Sequence, residues 1–201
     1  LYSAWPTVLL APTFRQRRSC PSDDARMKIL GLLRHAKSDW GQSDKRDFDR
    51  GLNDRGRRGA QVIGDHIRAH GVKWDHLLAS PAQRVRATLA EALPDMAPEW
   101  DERLYLAGTD TIMDIIREKG GDGDALLLSG HNPGLGDMLF ELVAPKQENA
   151  LYDEAKVKFP TAAYAVFELD IDDWSELRTG CGVLAHFARP RDLDAELGPE
   201  Y

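Results

Sequence analysis

From Met27 onward the chain alternates short apolar runs with longer stretches in which apolar residues recur every three to four positions, the pattern of an α/β sheet protein. Met27 to Leu33 (MKILGLL) is almost continuously apolar and reads as a buried strand that feeds a polar loop from Arg34 to Gly51. Asn53 is placed to cap a helix running to about His70. Its apolar positions Ala60, Val62, Ile63 and Ile67 follow the 3.6 period, and Gly71 marks its stop. Asp75 to Ala79 predicts a second strand, and Ala82 to Leu93 a helix preceded by Pro81 and ended by Pro94. A further helix begins at Thr109 or Asp110 and runs through Ile112, Ile115 and Ile116 to Gly120. Asp124 to Leu128 follows as a third buried strand, and Pro133 opens a helix through Leu135, Met138, Leu139 and Leu142. Ala162 to Leu169 and Gly182 to Phe187 alternate as strands, joined by a turn at Asp170 to Asp173, with a short strand expected near Trp174.

The first 26 residues break the pattern. They carry Pro6, Pro12 and Pro21, and Arg15, Arg17 and Arg18 follow the short apolar run where a secretory signal would place them before it. Residues 1–26 are therefore expected to be an extension, flexible or not native to the protein, with Met27 as the start of one domain over 27–201. A mitochondrial-type leader is the competing reading of the arginines. The longest apolar runs, Thr7 to Pro12 and Ala125 to Leu128, fall far short of the roughly 20 residues that span a bilayer, so no membrane association is expected.

Charge narrows the range of partners. The net charge of −7 becomes −9 once Arg15, Arg17, Arg18, Arg26, Asp23 and Asp24 are set aside, which leaves no diffuse basic surface for nucleic acid. Any anionic ligand must then be held by a few locally placed arginines. Cys20 and Cys181 form neither a disulfide framework nor a zinc knuckle, which agrees with a cytoplasmic location.

Each of the three early strands ends in a polar cluster before the next helix. These are Leu33-Arg34-His35, Ser80-Pro81-Ala82-Gln83-Arg84 and Ser129-Gly130-His131-Asn132-Pro133. Ligands of α/β proteins bind at the carboxyl ends of sheet strands. Parallel strands would gather two arginines and two histidines at one edge, beside helix N-termini that already favour an anion. That outlines a phosphate pocket, in which arginines clamp the oxygens and an imidazole attacks phosphorus without needing a metal.

Leu33-Arg34-His35-Ala36-Lys37-Ser38, Ser80-Pro81-x-x-Arg84 with Thr88 beyond it, and Ser129-Gly130-His131-Asn132-Pro133 resemble the motifs of the histidine phosphatase superfamily, the phosphoglycerate mutase-like fold. The nearest likeness is to its SixA-type phosphohistidine phosphatases. Leu52-Asn53-x-x-Gly56 and Leu104-Tyr105-Leu106-Ala107 extend the resemblance over the chain from Met27 to about Phe187. The resemblance implies a three-layer α/β/α sandwich on a mixed, mostly parallel sheet, with no metal or organic cofactor. It also implies His35 as the phosphorylated nucleophile, Arg34 and Arg84 as phosphate ligands, and His131 as a second phosphate-contacting histidine. Ala36 stands where the family's familiar triplet has glycine, a variant of the SixA-like group, and no carboxylate occupies an unmistakable acid-catalyst motif.

Other residues carry competing readings. Lys37 and Ser38 are candidate phosphate donors set against ordinary exposure in a loop. Arg86 is read as a solvated charge, and His66 and His70, at i, i+4 with no third ligand, as surface histidines. Asp39, Asp44, Asp47 and Asp49 are read as a solvated run in which one could donate a proton, and Asp101 and Glu102 are held as further candidates for that role. The expected function is a metal-independent phosphatase acting through phospho-His35 on protein phosphohistidine. The alternatives are a phosphatase for small phosphate esters and a catalytically silent phospho-binding module. Oligomeric state is left open.

Overall fold

A computed structural model describes residues 27–41 and 44–198, so the expectation for residues 1–26 lies outside the described residues. Six strands form one sheet: β1 (Lys28–Arg34), β2 (His76–Ala79), β3 (Glu99–Trp100), β4 (Ala125–Gly130), β5 (Tyr164–Leu169) and β6 (Gly182–Ala188). Their spatial order is β3-β2-β4-β1-β5-β6. The β1–β4, β2–β4 and β2–β3 pairs are parallel. β5 runs antiparallel to both β1 and β6, so it alone is reversed in the mixed sheet.

The helices are α1 (Asp54–His70), α2 (Gln83–Ala92), α3 (Thr109–Lys119), α4 (Gly134–Leu142), α5 (Ala150–Ala155) and α6 (Pro190–Leu193). The alternation of strand side chains divides them between two faces. Leu33, Leu77 and Leu127 point to one face and pack with Ala60, Ile63 and Ile67 of α1 and Val85 and Leu89 of α2. Leu30, Leu32, Leu78, Leu126 and Leu128 point to the other, against Ile112, Ile115 and Ile116 of α3 and Leu135, Met138 and Leu139 of α4. This is the three-layer sandwich that the family resemblance implies.

The helix ends agree with their sequence signals. The Asn53 side chain accepts a hydrogen bond from the Gly56 N–H, and Gly71 closes α1 with a left-handed φ of 87°. The stretch near Trp174 is not a strand. It is a 3₁₀ turn over Trp174–Glu176, capped by Asp173, with the Trp174 ring buried and its Nε1–H donated to the Gly123 carbonyl at 2.9 Å. Burial of one indole, rather than two-residue alternation, explains the hydrophobic signal there. Among the described residues no helix is long and apolar enough to cross a membrane.

Candidate active site

β1, β2 and β4 are parallel neighbours, so their polar C-terminal clusters meet at one sheet edge, as the sequence pattern predicts. His35, Arg84 and His131 are all buried, at 8%, 4% and 3% exposure, although each carries ionisable chemistry. The ring centroids of His35 and His131 stand 5.1 Å apart.

His35 is held in one tautomer. Its Nδ1 lies 2.8 Å from the Ala36 carbonyl, and a carbonyl can only accept, so Nδ1 carries the proton and Nε2 keeps its lone pair. Burial, followed by the positive charges of Arg84 and Arg34, lowers its pKa to about 4 against an opposing contribution from the Ala36 hydrogen bond, so the ring is neutral near pH 7. The backbone around it is fixed from several sides. The His35 N–H bonds the Gly130 carbonyl (3.1 Å) and the Ala162 N–H bonds the His35 carbonyl (3.0 Å). The Ala36 N–H donates to Thr88 Oγ1 (2.9 Å), which donates in turn to the Arg84 carbonyl (2.6 Å).

The same reasoning fixes His131. A guanidinium only donates, so Arg84 Nε, 3.3 Å from His131 Nδ1, makes that nitrogen the acceptor. Nε2 then carries the hydrogen and bonds Ser80 Oγ at 2.8 Å. Burial, then the charges of His35 and Arg84, pushes the His131 pKa down to about 3. With both nitrogens engaged, His131 props Arg84, and a direct phosphate contact requires it to exchange one of these bonds.

The two arginines differ. Arg34 donates from Nη1 to the Phe159 carbonyl (2.8 Å), and its buried Nε has no partner. Burial, then the nearby Arg84, lowers its pKa. Arg84 is already engaged: it donates to the Asp47 carbonyl (2.6 Å) and to Asp47 Oδ2 (2.9 Å). That carboxylate also accepts from the Tyr105 hydroxyl (2.6 Å).

Asp47 therefore departs from the solvated-run reading. It sits on a 3₁₀ turn, Asp47–Asp49, that brings it against Arg84. The Tyr105 hydrogen bond and the Arg84 charge hold its carboxyl below the usual range despite some burial, so it is ionised and is not a resting proton donor. Tyr105, whose ring meets that of His131 at 5.4 Å, was visible in the sequence only as part of a motif. Asp101 is excluded as an acid because Arg103 and Lys119 pair with it and hold its carboxyl far below the ordinary range.

Lys37 and Ser38 make no hydrogen bond or ion pair with the other four candidates. Ser38 is buried and bridges Leu52, whereas Lys37 is exposed beside a neighbouring cavity. Arg86 lies apart, stacked 4.1 Å over the Trp100 ring, in keeping with its reading as a residue outside the site. His66 and His70 are not surface histidines. Both are half-buried against His186 of β6, with His66 Nε2 2.8 Å from His186 Nε2 and the His70 and His186 centroids 4.2 Å apart. A spacing read along one helix does not reveal a partner on a distant strand.

Comparison with known proteins agrees with this geometry. Residues 30–105 match the family model of the histidine phosphatase superfamily (branch 1). An uncharacterized protein of Mycobacterium tuberculosis is 34% identical over 160 residues, which cover 79% of this chain and all of that protein. Two solved structures, provisionally named phosphohistidine phosphatase SixA, come from Nakamurella multipartitia and Agrobacterium tumefaciens. Each is 28% identical; they superpose with TM-scores of 0.73 and 0.67 and cover 84% and 81% of this chain and 99% and 98% of their own. The chain belongs to the histidine phosphatase superfamily, as a phosphatase with SixA-like structural neighbours.

Proposed function

We propose that this phosphatase works through a covalent phospho-His35 and that its substrate is phosphohistidine in a protein. The observation that carries the first part is the tautomer of His35: a buried, neutral imidazole with Nδ1–H tied to a carbonyl and Nε2 free is an attacking group in waiting. Nε2 attacks phosphorus as the bond from phosphorus to the leaving nitrogen breaks, and the substrate ring, already protonated on its other nitrogen, departs as neutral imidazole. Water then cleaves the phosphorus–Nε2 bond, releasing inorganic phosphate and neutral His35. Arg34 and Arg84 face the phosphoryl oxygens and balance their charge, the part that a metal plays in other phosphoryl-transfer enzymes. Lys37 and Ser38 lie on the same loop and are further donors to those oxygens. A reducing, cytoplasmic setting fits the buried free thiol of Cys181.

The substrate assignment rests on protons. An alkoxide leaves poorly unless an acid protonates it, a service worth roughly 10²–10⁴ in rate. Among the carboxylates that meet the site, Asp47 is ionised, and both histidines are neutral near pH 7. A phosphohistidine ring brings its own proton, and an aryl oxide leaves without one. Rates across a series of phosphate esters should therefore fall steeply as leaving-group pKa rises, with phosphohistidine and aryl phosphates far above phosphoserine. Quenching during turnover should trap an acid-labile, base-stable phosphoenzyme that His35→Ala lacks. A flat leaving-group dependence would point to small phosphate esters, and normal turnover by His35→Ala would end the mechanism.

A further inference from the structure

Beside the nucleophile loop lies a cavity of ≈ 180 Å³, of whose lining the proposed chemistry uses Lys37 alone. Its wall carries five cations, Lys37, Arg55, Lys158, Arg189 and Arg191, and not one carboxylate, in a chain whose net charge is −7. The topology explains how they meet. Leu33 pairs with Tyr164, and Tyr164 with Ala188, so the end of β1, the start of β5 and the end of β6 lie in a row along the edge that carries the active site. The segment 158–162 before β5 and residues 189–191 after β6 thus continue the row begun by Arg34 and His35.

The cations are not equally neutralised. Arg189 is paired with Glu154 and Asp192, which stand outside the wall, and Arg191 approaches Asp192 at 3.8 Å. Arg55 donates to the backbone carbonyl of Leu197 at 2.6 Å and to that of Gly198. Lys37 and Lys158 have no carboxylate partner among the described residues, and both are exposed. Lys37 and Lys158 keep this wall positive in a chain of net negative charge. The volume falls below the ~300–1,000 Å³ of pockets that enclose a whole small molecule, so the cavity suits one or two carboxylate groups of a larger ligand.

We infer that this cavity is a docking subsite for acidic side chains flanking the phosphohistidine of a protein substrate. The inference rests on the phosphohistidine reading and adds a determinant of specificity to it. Lys37 joins the two sites, since it follows Ala36 on the nucleophile loop and also lines the cavity.

The test compares a phosphohistidine peptide flanked by aspartates with one flanked by serines, on wild type and on Lys158→Glu and Arg191→Glu, with p-nitrophenyl phosphate as a small reference substrate. Wild type should prefer the acidic peptide by ~5–10-fold in kcat/KM, the size expected from a few partly exposed ion pairs. The preference should lie in KM and shrink as salt is raised. Each reversal should erase it while leaving p-nitrophenyl phosphate turnover unchanged. Equal rates on the two peptides, or a preference that survives both reversals, would overturn the proposal. Binding of the same peptides in unphosphorylated, fluorescent form separates docking from chemistry. Wild type that binds the acidic and neutral peptides alike refutes the subsite. Acidic-peptide binding that is weakened by the reversals, in an enzyme inert toward every phosphohistidine substrate, supports the subsite and refutes the phosphohistidine reading instead.

Discussion

Replacing Gly56 by alanine should damage activity through a residue that never meets substrate. A Cβ built at Gly56 would lie 2.1 Å from the Lys37 carbonyl oxygen, and 3.0 Å from both the carbon of that carbonyl and the Lys37 nitrogen. Ordinary contact between carbon and a carbonyl oxygen begins near ~3.3 Å, so one backbone must yield by about 1 Å. The loop has nowhere to retreat. His35 is held by Gly130 and Ala162, Ala36 by Thr88, and the Lys37 carbonyl itself accepts from the Asn53 N–H at 3.2 Å. The displacement therefore reaches His35 two residues away. A misplacement of about 1 Å at a reacting group costs on the order of 100-fold in rate, and overpacking costs about 1–3 kcal/mol in stability. Two glycines of the same helix separate these effects. Gly64→Ala places its Cβ 2.3 Å from the Ala92 carbonyl, a backbone clash against α2, and should lower Tm while kcat on p-nitrophenyl phosphate is kept. Gly59→Ala meets only Pro190 at 3.7 Å, so it should keep activity and raise stability by up to ~1 kcal/mol through helix propensity. Thermal melts and steady-state kinetics on the three variants decide the matter. Wild-type kcat/KM from folded Gly56→Ala, or equal loss in Gly64→Ala, would show that contact between α1 and the loop does not position the nucleophile.

Other perturbations probe the charges. Arg84→Ala should cost about 2–4 kcal/mol of transition-state stabilisation, whereas Arg86→Ala, stacked on Trp100 away from the site, should be nearly neutral in kcat/KM. Asp47→Asn removes a charge that competes with phosphate for Arg84, so inhibition by inorganic phosphate should tighten roughly fivefold, a modest effect at a carboxylate this exposed; weaker inhibition would contradict the assignment. Stability should fall with acid. Burial, aided by His70 and His66, lowers His186 to about 4, so below the unfolded value of 6.5 the unfolded chain binds the extra proton. Its contribution is complete above pH 6.5 and is lost as pH falls toward 4, amounting to about 2 kcal/mol by pH 5. Denaturant melts from pH 7.5 to 5 should show this slope added to those of His35 and His131, and His186→Phe should make it shallower without abolishing it.

Residues that reach the site at strand ends could be read from the sequence, because position along the chain and position at the sheet edge coincide there. Arg34 and His35 follow a continuous apolar run, and the same holds for Ser80 and His131, so recognising parallel strands was enough to bring them together. β3 escaped because two residues, Glu99 and Trp100, show no alternation. Asp47 and the His66–His186 pair were missed for a different reason. In the sequence Asp47 is one acidic residue among four, and nothing local separates it from Asp39, Asp44 or Asp49. What distinguishes it is contact with Arg84, 37 positions away, and with Tyr105, 58 positions away. His186 lies 120 positions from His66 and joins it only because β6 passes beside α1. Burial pattern reports which face of an element is covered, and it is silent on which polar groups meet across the cover. Those meetings set protonation: the Tyr105 hydroxyl and the Arg84 guanidinium keep Asp47 ionised, and an ionised Asp47 leaves an alkoxide without a resting proton donor. The proposed preference for leaving groups that need no acid thus rests on long-range contacts that no local pattern encodes.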